Sequence, residues 1–241
     1  MDLKRGTALT LALLGLTMTS GIVEAVSFLA LGHVFTAMMT GNLLLLAFGI
    51  AGGAGLSPGR SAVSLAAFVT GALAGARLES RVAAHRHRWF VAGLLAEAVL
   101  LGVAGVVAWR LDGADTPASA RHYAVVALVG VAMGVRSVTT LRAHVPDLPT
   151  TLATRTLTSL LSSLAFVAGP ELRPAAGERP WLRRSAAVAS MFVGGLLGGW
   201  MLKAGWRPAG PLLLVAAAAL AIAVAYGLAP RYRSPVPPGG G

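Results

Sequence analysis

Long apolar runs alternate with short polar stretches along the whole chain. The apolar segments fall at about 7–31, 36–54, 61–78, 89–109, 122–141, 150–168, 185–203 and 209–229. About 20 apolar residues carry a helix across the hydrocarbon core of a bilayer. The pattern therefore predicts an all-α, polytopic bundle of about eight transmembrane helices. Polar residues interrupt the second and sixth runs, and a strict window count gives six. The breaks hold turn formers: GGAGLSPGR at 52–60, DGADTP at 112–117, HVPDLP at 144–149 and GPELRPAAGERP at 169–180. The first run follows Lys4 and Arg5 but continues past Glu24 with no small-x-small cleavage site. It reads as a retained helix and not as a signal peptide. The Pro/Gly-rich end, 231–241, has little apolar content and reads as a disordered tail.

A longer periodicity is laid over the helical one. Arg60-Ser61-Ala62 leads to Phe68-Val69-Thr70-Gly71-Ala72-Leu73-Ala74-Gly75, and Arg184-Ser185-Ala186 leads to Phe192-Val193-Gly194-Gly195-Leu196-Leu197-Gly198-Gly199, at a constant offset of 124. Gly21 and Met39–Leu43 resemble Gly134 and Ala153–Leu157 at offsets of 113 and 114. These matches predict one membrane domain over 1–230, made of a repeat at about 7–110 and another at about 120–229. Four helices per repeat would return the chain to its starting side. The repeats would then be parallel, related by an axis along the membrane normal. Chance likeness among Gly/Ala-rich helices is the plain alternative. Small-xxx-small pairs at Gly71/Gly75, Gly130/Gly134, Gly194/Gly198 and Gly195/Gly199 predict close helix crossings. Those crossings are expected first within one chain, with a homo-oligomer through the same faces as the second option.

Composition sharpens the class. Of 241 residues, 56% are hydrophobic and 12% charged, with a mean hydropathy of +0.73. Soluble domains carry about 25% charged residues, so an ordinary soluble globule and a disordered chain are both excluded. The net charge of +11 would suggest nucleic acid in a soluble protein. Here the basic residues flank apolar runs, where they anchor loops and meet phospholipid, so the bilayer and not nucleic acid is the expected partner. Absence of cysteine excludes disulfides, thiolate metal sites and Cys nucleophiles. With eight helices, 11 basic residues would lie on the side of the termini and 7 on the other. The positive-inside rule then favours cytoplasmic termini, although the Arg77–Arg88 loop votes the other way.

Four ionisable residues interrupt apolar runs: Glu24, Glu97, Arg136 and Arg155. Such groups are costly in a bilayer and face a cavity or a partner. Glu24 paired with Arg136 or Arg155 would make a polar site between the repeats; a static interhelical salt bridge is the plain alternative, and for Glu97 the preferred one. Thr40-Gly41-Asn42 adds a second irregularity, since Gly41 weakens a helix and Asn42 is the sole Asn. A short or broken helix there would turn backbone groups towards a cavity. The matching place in the second repeat is Pro146-Asp147-Leu148-Pro149 followed by Thr150, Thr151, Thr154, Arg155 and Thr156. That helix start, aided by Arg155, would suit an anion. Gly55-Leu56-Ser57-Pro58-Gly59 fits the nucleophile-elbow spacing, but Pro58 lacks the N–H the oxyanion hole needs. His85-Arg86-His87 does not converge as a metal pair. No catalytic, metal or cofactor site is predicted, and the chain is not read as an enzyme.

The residues quoted carry a family resemblance. Gly21-Ile22-Val23-Glu24-Ala25, Phe28-Leu29-Ala30-Leu31-Gly32, Phe35-Thr36-Ala37 and Met39-Thr40-Gly41-Asn42 resemble the opening of the DUF1275, or YoaK-like, family. Met133-Gly134-Val135-Arg136-Ser137 and Thr151–Leu157 resemble its second signature. The likeness covers about 10–230 and implies a multi-pass protein of the bacterial inner membrane, with no biochemical function attached. This chain departs from the family pattern at Glu24, where Asp is usual, at Arg136-Ser137, where Gln-Asn is typical, and at Arg155, which replaces a Gly. The expectation is a transporter-like permease for a small, possibly anionic, solute, with a site at Glu24, Thr40, Gly41, Asn42, Arg136, Thr154 and Arg155. The alternative is a non-transporting scaffold or assembly partner.

Overall fold

A computed structural model describes residues 2–82, 88–111, 119–141 and 180–228. The described residues form seven helices: α1 (Asp2–Ala30), α2 (Met39–Ile50), α3 (Pro58–Val82), α4 (Arg88–Ala108), α5 (Ala120–Leu141), α6 (Pro180–Lys203) and α7 (Ala209–Leu228). Six of them are long and apolar enough to cross a bilayer; α2, at 12 residues, is not. The second apolar run is therefore not a span, because its first residues are spent on a loop. The sixth run, 150–168, and the tail at 231–241 lie outside the described residues, so eight spanning helices are not reached.

Glycine contacts fix how the helices pair. A Cβ on Gly71 would overlap the Val131 carbonyl, and one on Gly134 would overlap the Phe68 carbonyl and the Ala72 amide, so α3 and α5 touch backbone to backbone. A Cβ on Gly194 would overlap the Met18 carbonyl, and one on Gly21 the Met191 carbonyl and the Gly195 amide, which joins α1 to α6 in the same way. In lipid no hydrophobic drive separates helix from tail, so close approach and dispersion contact hold such crossings. Further along, Gly75 meets Val135, and Gly198 meets Ile22. Residue numbers rise together in both pairs, so α1 runs parallel to α6 and α3 parallel to α5.

The remaining directions follow from the two apolar clusters. One gathers the first halves of α1, α4 and α6 with the last half of α7: Leu13, Leu16, Phe90, Leu94, Ala187 and Ala223. The other gathers the last halves of α1 and α4 with the first halves of α5 and α7, among them Val26, Leu101, Val126 and Leu212. Thus α1, α4 and α6 run one way, and α3, α5 and α7 the other. Three crossings separate the start of the chain from the end of α4, which places that end on the opposite side. The parallel relation expected from four spans per half does not hold: α5–α7 run opposite to α1, α3 and α4. The reason lies in α2, which does not cross. Large apolar side chains such as Leu43, Phe48, Val106, Phe192 and Leu220 face outward, as lipid contact requires.

The segment between α1 and α3 turns back into the bundle. Gly32 (φ 101°) and His33 (φ 57°) adopt left-handed conformations. Gly32 is the one place here where a side chain would be strained and also obstructed, because the Arg60 guanidinium lies against it. Residues 34–38 then run back alongside α1, so that Thr36 meets Ser27 and Glu24. From there α2 climbs out antiparallel to α3, with Asn42 beside Ser64 and Gly49 beside Pro58. Non-helical backbone at membrane depth survives only where protein or water satisfies it, and here protein does.

Candidate functional site

α1 carries Thr17, Ser20, Glu24 and Ser27 at intervals of three and four residues, which places them on one face. All four are buried. Thr17 and Ser20 return their hydroxyls to the carbonyls of Leu13 and Leu16, so they cost the helix little. The next two positions serve the re-entrant loop.

The Glu24 carboxylate is received by backbone N–H groups. Thr36 donates to Oε1 at 3.3 Å and to Oε2 at 3.2 Å, Ala37 donates to Oε1, and Met38 donates to Oε1 at 3.1 Å. Successive N–H groups turned one way form an anion-binding nest. The nest lies at the start of α2, whose Met38 cap position has no side-chain cap. Glu24, 12 residues back in the chain, does the work of a capping carboxylate at a positive helix end. Ser27 Oγ and Thr36 Oγ1 are 3.0 Å apart and tie the loop to α1 a turn further on.

Asn42 clasps the same loop from the other side. Its Oδ1 accepts the Phe35 N–H at 2.9 Å, and its Nδ2 donates to the Phe35 carbonyl and, at 2.9 Å, to Ser64 Oγ. Ser64 Oγ also donates to the Phe35 carbonyl at 2.6 Å. One amide side chain thus satisfies both backbone groups of a residue that no helix serves, at a depth without competing water. Gly41 leaves room for the Phe35 ring, which a Cβ would meet at 2.8 Å, and Phe35 stacks on Phe28. Thr40 faces outward.

Arg136 makes the third part. Its guanidinium is buried between helices: Nη1 donates to the Leu16 carbonyl at 3.0 Å and to Ser20 Oγ at 2.8 Å, and Nη2 pairs with Glu97 Oε1. Glu97 is fully buried, and its Oε2 has no partner; nor does Arg136 Nε. The pairing of Glu24 with Arg136 expected from sequence is not formed. Helix rotation decides this, since α4 lies against α5 and offers its own acid first. Glu97, for which the sequence reading preferred a static interhelical salt bridge, is mid-helix and forms one with Arg136. Arg136 and Glu24 still share a neighbourhood, because Ser20, which holds Arg136, lies one turn before Glu24 on the same face.

Of the predicted site residues, Glu24, Asn42 and Arg136 therefore converge on the loop and its α1 wall. Gly41 serves packing and Thr40 stands apart. Thr154 and Arg155 lie outside the described residues. Sequence reasoning passed over Ser20, Ser27 and Ser64; the three- and four-residue spacing on α1 could have found the first two. Among the described residues no group of three or more His, Asp or Glu side chains converges as for a metal.

Two comparisons bear on identity. The UPF0700 transmembrane protein YoaK of Bacillus subtilis (strain 168) is 29% identical over 153 residues, which is 62% of this chain. The match spans 64% of that relative's length, somewhat under two thirds. No solved structure matches. The family profile described as "Protein of unknown function (DUF1275)" matches residues 12–226, nearly all of the membrane domain, and this integral membrane protein belongs to that family.

Proposed function

We propose that the chain is a transporter-like permease for a small solute, built as two inverted halves that rock about a polar centre. The observation that carries the reading is a recurrence in the glycine contacts. Adding 113 to an α1 number and subtracting 123 from an α6 number turns the α1–α6 crossing into the α5–α3 crossing. Met18/Gly194 becomes Val131/Gly71, and Gly21 against Met191 and Gly195 becomes Gly134 against Phe68 and Ala72. A Cβ on Gly198 would stand 3.1 Å from Ile22 Cα and 2.8 Å from Ala25 Cβ; its counterpart on Gly75 would stand 3.2 Å from Val135 Cα and 3.5 Å from Val138 Cβ. The six described spans, divided into three and three that run in opposite directions, make an axis in the membrane plane the natural relation. Inverted repeats with a broken helix at mid-membrane are a recurrent transporter plan. The register differs by one residue from the 124 of the sequence alignment.

The same crossing pattern bears on orientation. Lys4, Arg5, Arg77, Arg81, Arg88, Arg183 and Arg184 lie at the helix ends on the side of the termini. Arg60, Arg110, Arg121, Lys203 and Arg207 belong to the other side. The loop that spoke against cytoplasmic termini now speaks for them, and the positive-inside rule points one way in a bacterial cell membrane. Glu24 fills the nest of N–H groups and Glu97 neutralises Arg136, so an anionic solute would have to displace one of the two carboxylates.

The scaffold alternative needs glycine faces free for partners, whereas Gly71, Gly75, Gly194 and Gly198 are covered by α5 and α1 within the chain. The chain lacks cysteine, so single substitutions label without background. An impermeant thiol reagent should reach Ala54→Cys from outside and Ala84→Cys only from the cytoplasm; the reverse pattern would refute cytoplasmic termini, and labelling of both from one side would refute the crossing of α3 and with it the inverted arrangement. Within the bundle, Ser20→Cys and Ser64→Cys should each become reactive under solutes that drive opposite states. Protection of both, from both sides and with every solute tried, favours the scaffold.

A further inference from the structure

Among the described residues, the charges buried at mid-span form one cluster, and it does not balance. Glu24 on α1 and Glu97 on α4 face one guanidinium, that of Arg136 on α5. Of the other described elements packed around them, the loop holds one titratable group, the exposed His33, α2 and α7 carry no Asp, Glu, Lys or Arg, and the charges of α6 stand near its two ends. From α3 comes Arg60, buried near the start of its span with its guanidinium against Gly32. Gly32 lies past the end of the first span at Ala30, eight residues beyond Glu24 and roughly 12 Å along the helix axis. Among the described residues at mid-span, two carboxylates therefore share one cation, an excess of one negative charge. An isolated ionised carboxylate in such a medium costs enough that it is paired or neutralised.

We propose that this cluster is a proton-binding site, in which one proton taken from water is held on the Glu24 carboxylate while Arg136 neutralises Glu97. Geometry selects Glu24. Glu97 has the guanidinium in direct contact. Glu24 has neutral N–H donors only, and they crowd onto Oε1, which receives three of them, while Oε2 receives one. Oε2 is thus the oxygen free to carry the hydrogen. The arrangement also ties the proton to the ion pair. If Glu97 loses its charge, Arg136 becomes the uncompensated group, and Glu24, one turn from Ser20, is the acid able to ionise for it. The site stands whether or not a solute crosses, so it is testable apart from the permease reading.

The test is infrared spectroscopy of the full chain in lipid, following the carbonyl stretch of neutral carboxylic acids. Only Glu24 and Glu97 among the nine acidic residues lie inside described spanning segments, so their Gln variants assign the band. The expected result is one neutral-acid band equivalent per chain, shifted by deuterium, absent in Glu24→Gln and absent in Glu97→Gln as well. Glu24→Asp should keep a displaced band and guards against a variant that fails to fold. No band in the wild type across the neutral range overturns the proposal. A band kept in Glu24→Gln and lost in Glu97→Gln overturns the assignment to Glu24. A band lost in Glu24→Gln but kept in Glu97→Gln shows a proton indifferent to the ion pair and overturns the coupling. A band that appears only when sodium is replaced by a bulky organic cation means that a metal cation, not a proton, balances the cluster.

Discussion

At the scale of single residues, side chains here replace what water supplies elsewhere. Asn42 satisfies both backbone groups of Phe35, and Ser64 assists it. Asn42→Ala strands a donor and an acceptor at depth, with an expected loss of about 2–4 kcal/mol, read as a lower midpoint in detergent-driven unfolding. Arg136→Met leaves Glu97 as a buried charge with no donor, expected to cost about 3–5 kcal/mol. Adding Glu97→Leu should recover most of that, because an apolar pair of similar volume removes the desolvation cost. A double variant no more stable than the single one would show that the pair contributes more than its own neutralisation. These key residues were legible in the sequence, because a polar group inside an apolar run declares itself. Their partners were not. Pairing depends on helix rotation and on which helices are neighbours.

At the scale of elements, backbone contact makes glycine irreplaceable at some positions and idle at others. Gly71 and Gly194 stand against carbonyl oxygens of Val131 and Met18 that cannot rotate away. Alanine at either should cost about 1–3 kcal/mol or more through forced separation of the helices, and the two losses should match if the crossings are equivalent. Gly102 has nothing within 4 Å, so Gly102→Ala should be neutral or stabilise by about 0.5–1 kcal/mol through helix propensity. A thermal or denaturant series on the three variants decides it. Glycine spacing, read from the sequence, identified these faces but not what covers them. The depth of α2 was less legible. Its apolar run is long enough for a span, and only the three-dimensional path shows that residues 31–38 are spent in doubling back.

At the scale of the whole molecule, that one short helix settles direction. Because α2 does not cross, α5–α7 run opposed to α1, α3 and α4. Class and membrane location were visible in hydropathy. The relative direction of these helices was not, since it depends on an odd or even count of crossings. Order of synthesis adds a further demand. α1 is made well before its closest companion, α6, and Met18 waits for Gly194. At about 5–20 residues per second, that interval is on the order of 10–30 s, during which the polar face of Ser20, Glu24 and Ser27 has no α6 beside it and, until α5 is made, no Arg136. A nascent chain stalled after Leu141 should expose α1 to protease or retain it on an insertion chaperone, and one stalled after Leu228 should not. Biogenesis, and not only the folded state, then selects for the early self-made shelter that the Thr36–Met38 loop gives Glu24: it is the one partner of that acid already present when the first helix enters the bilayer.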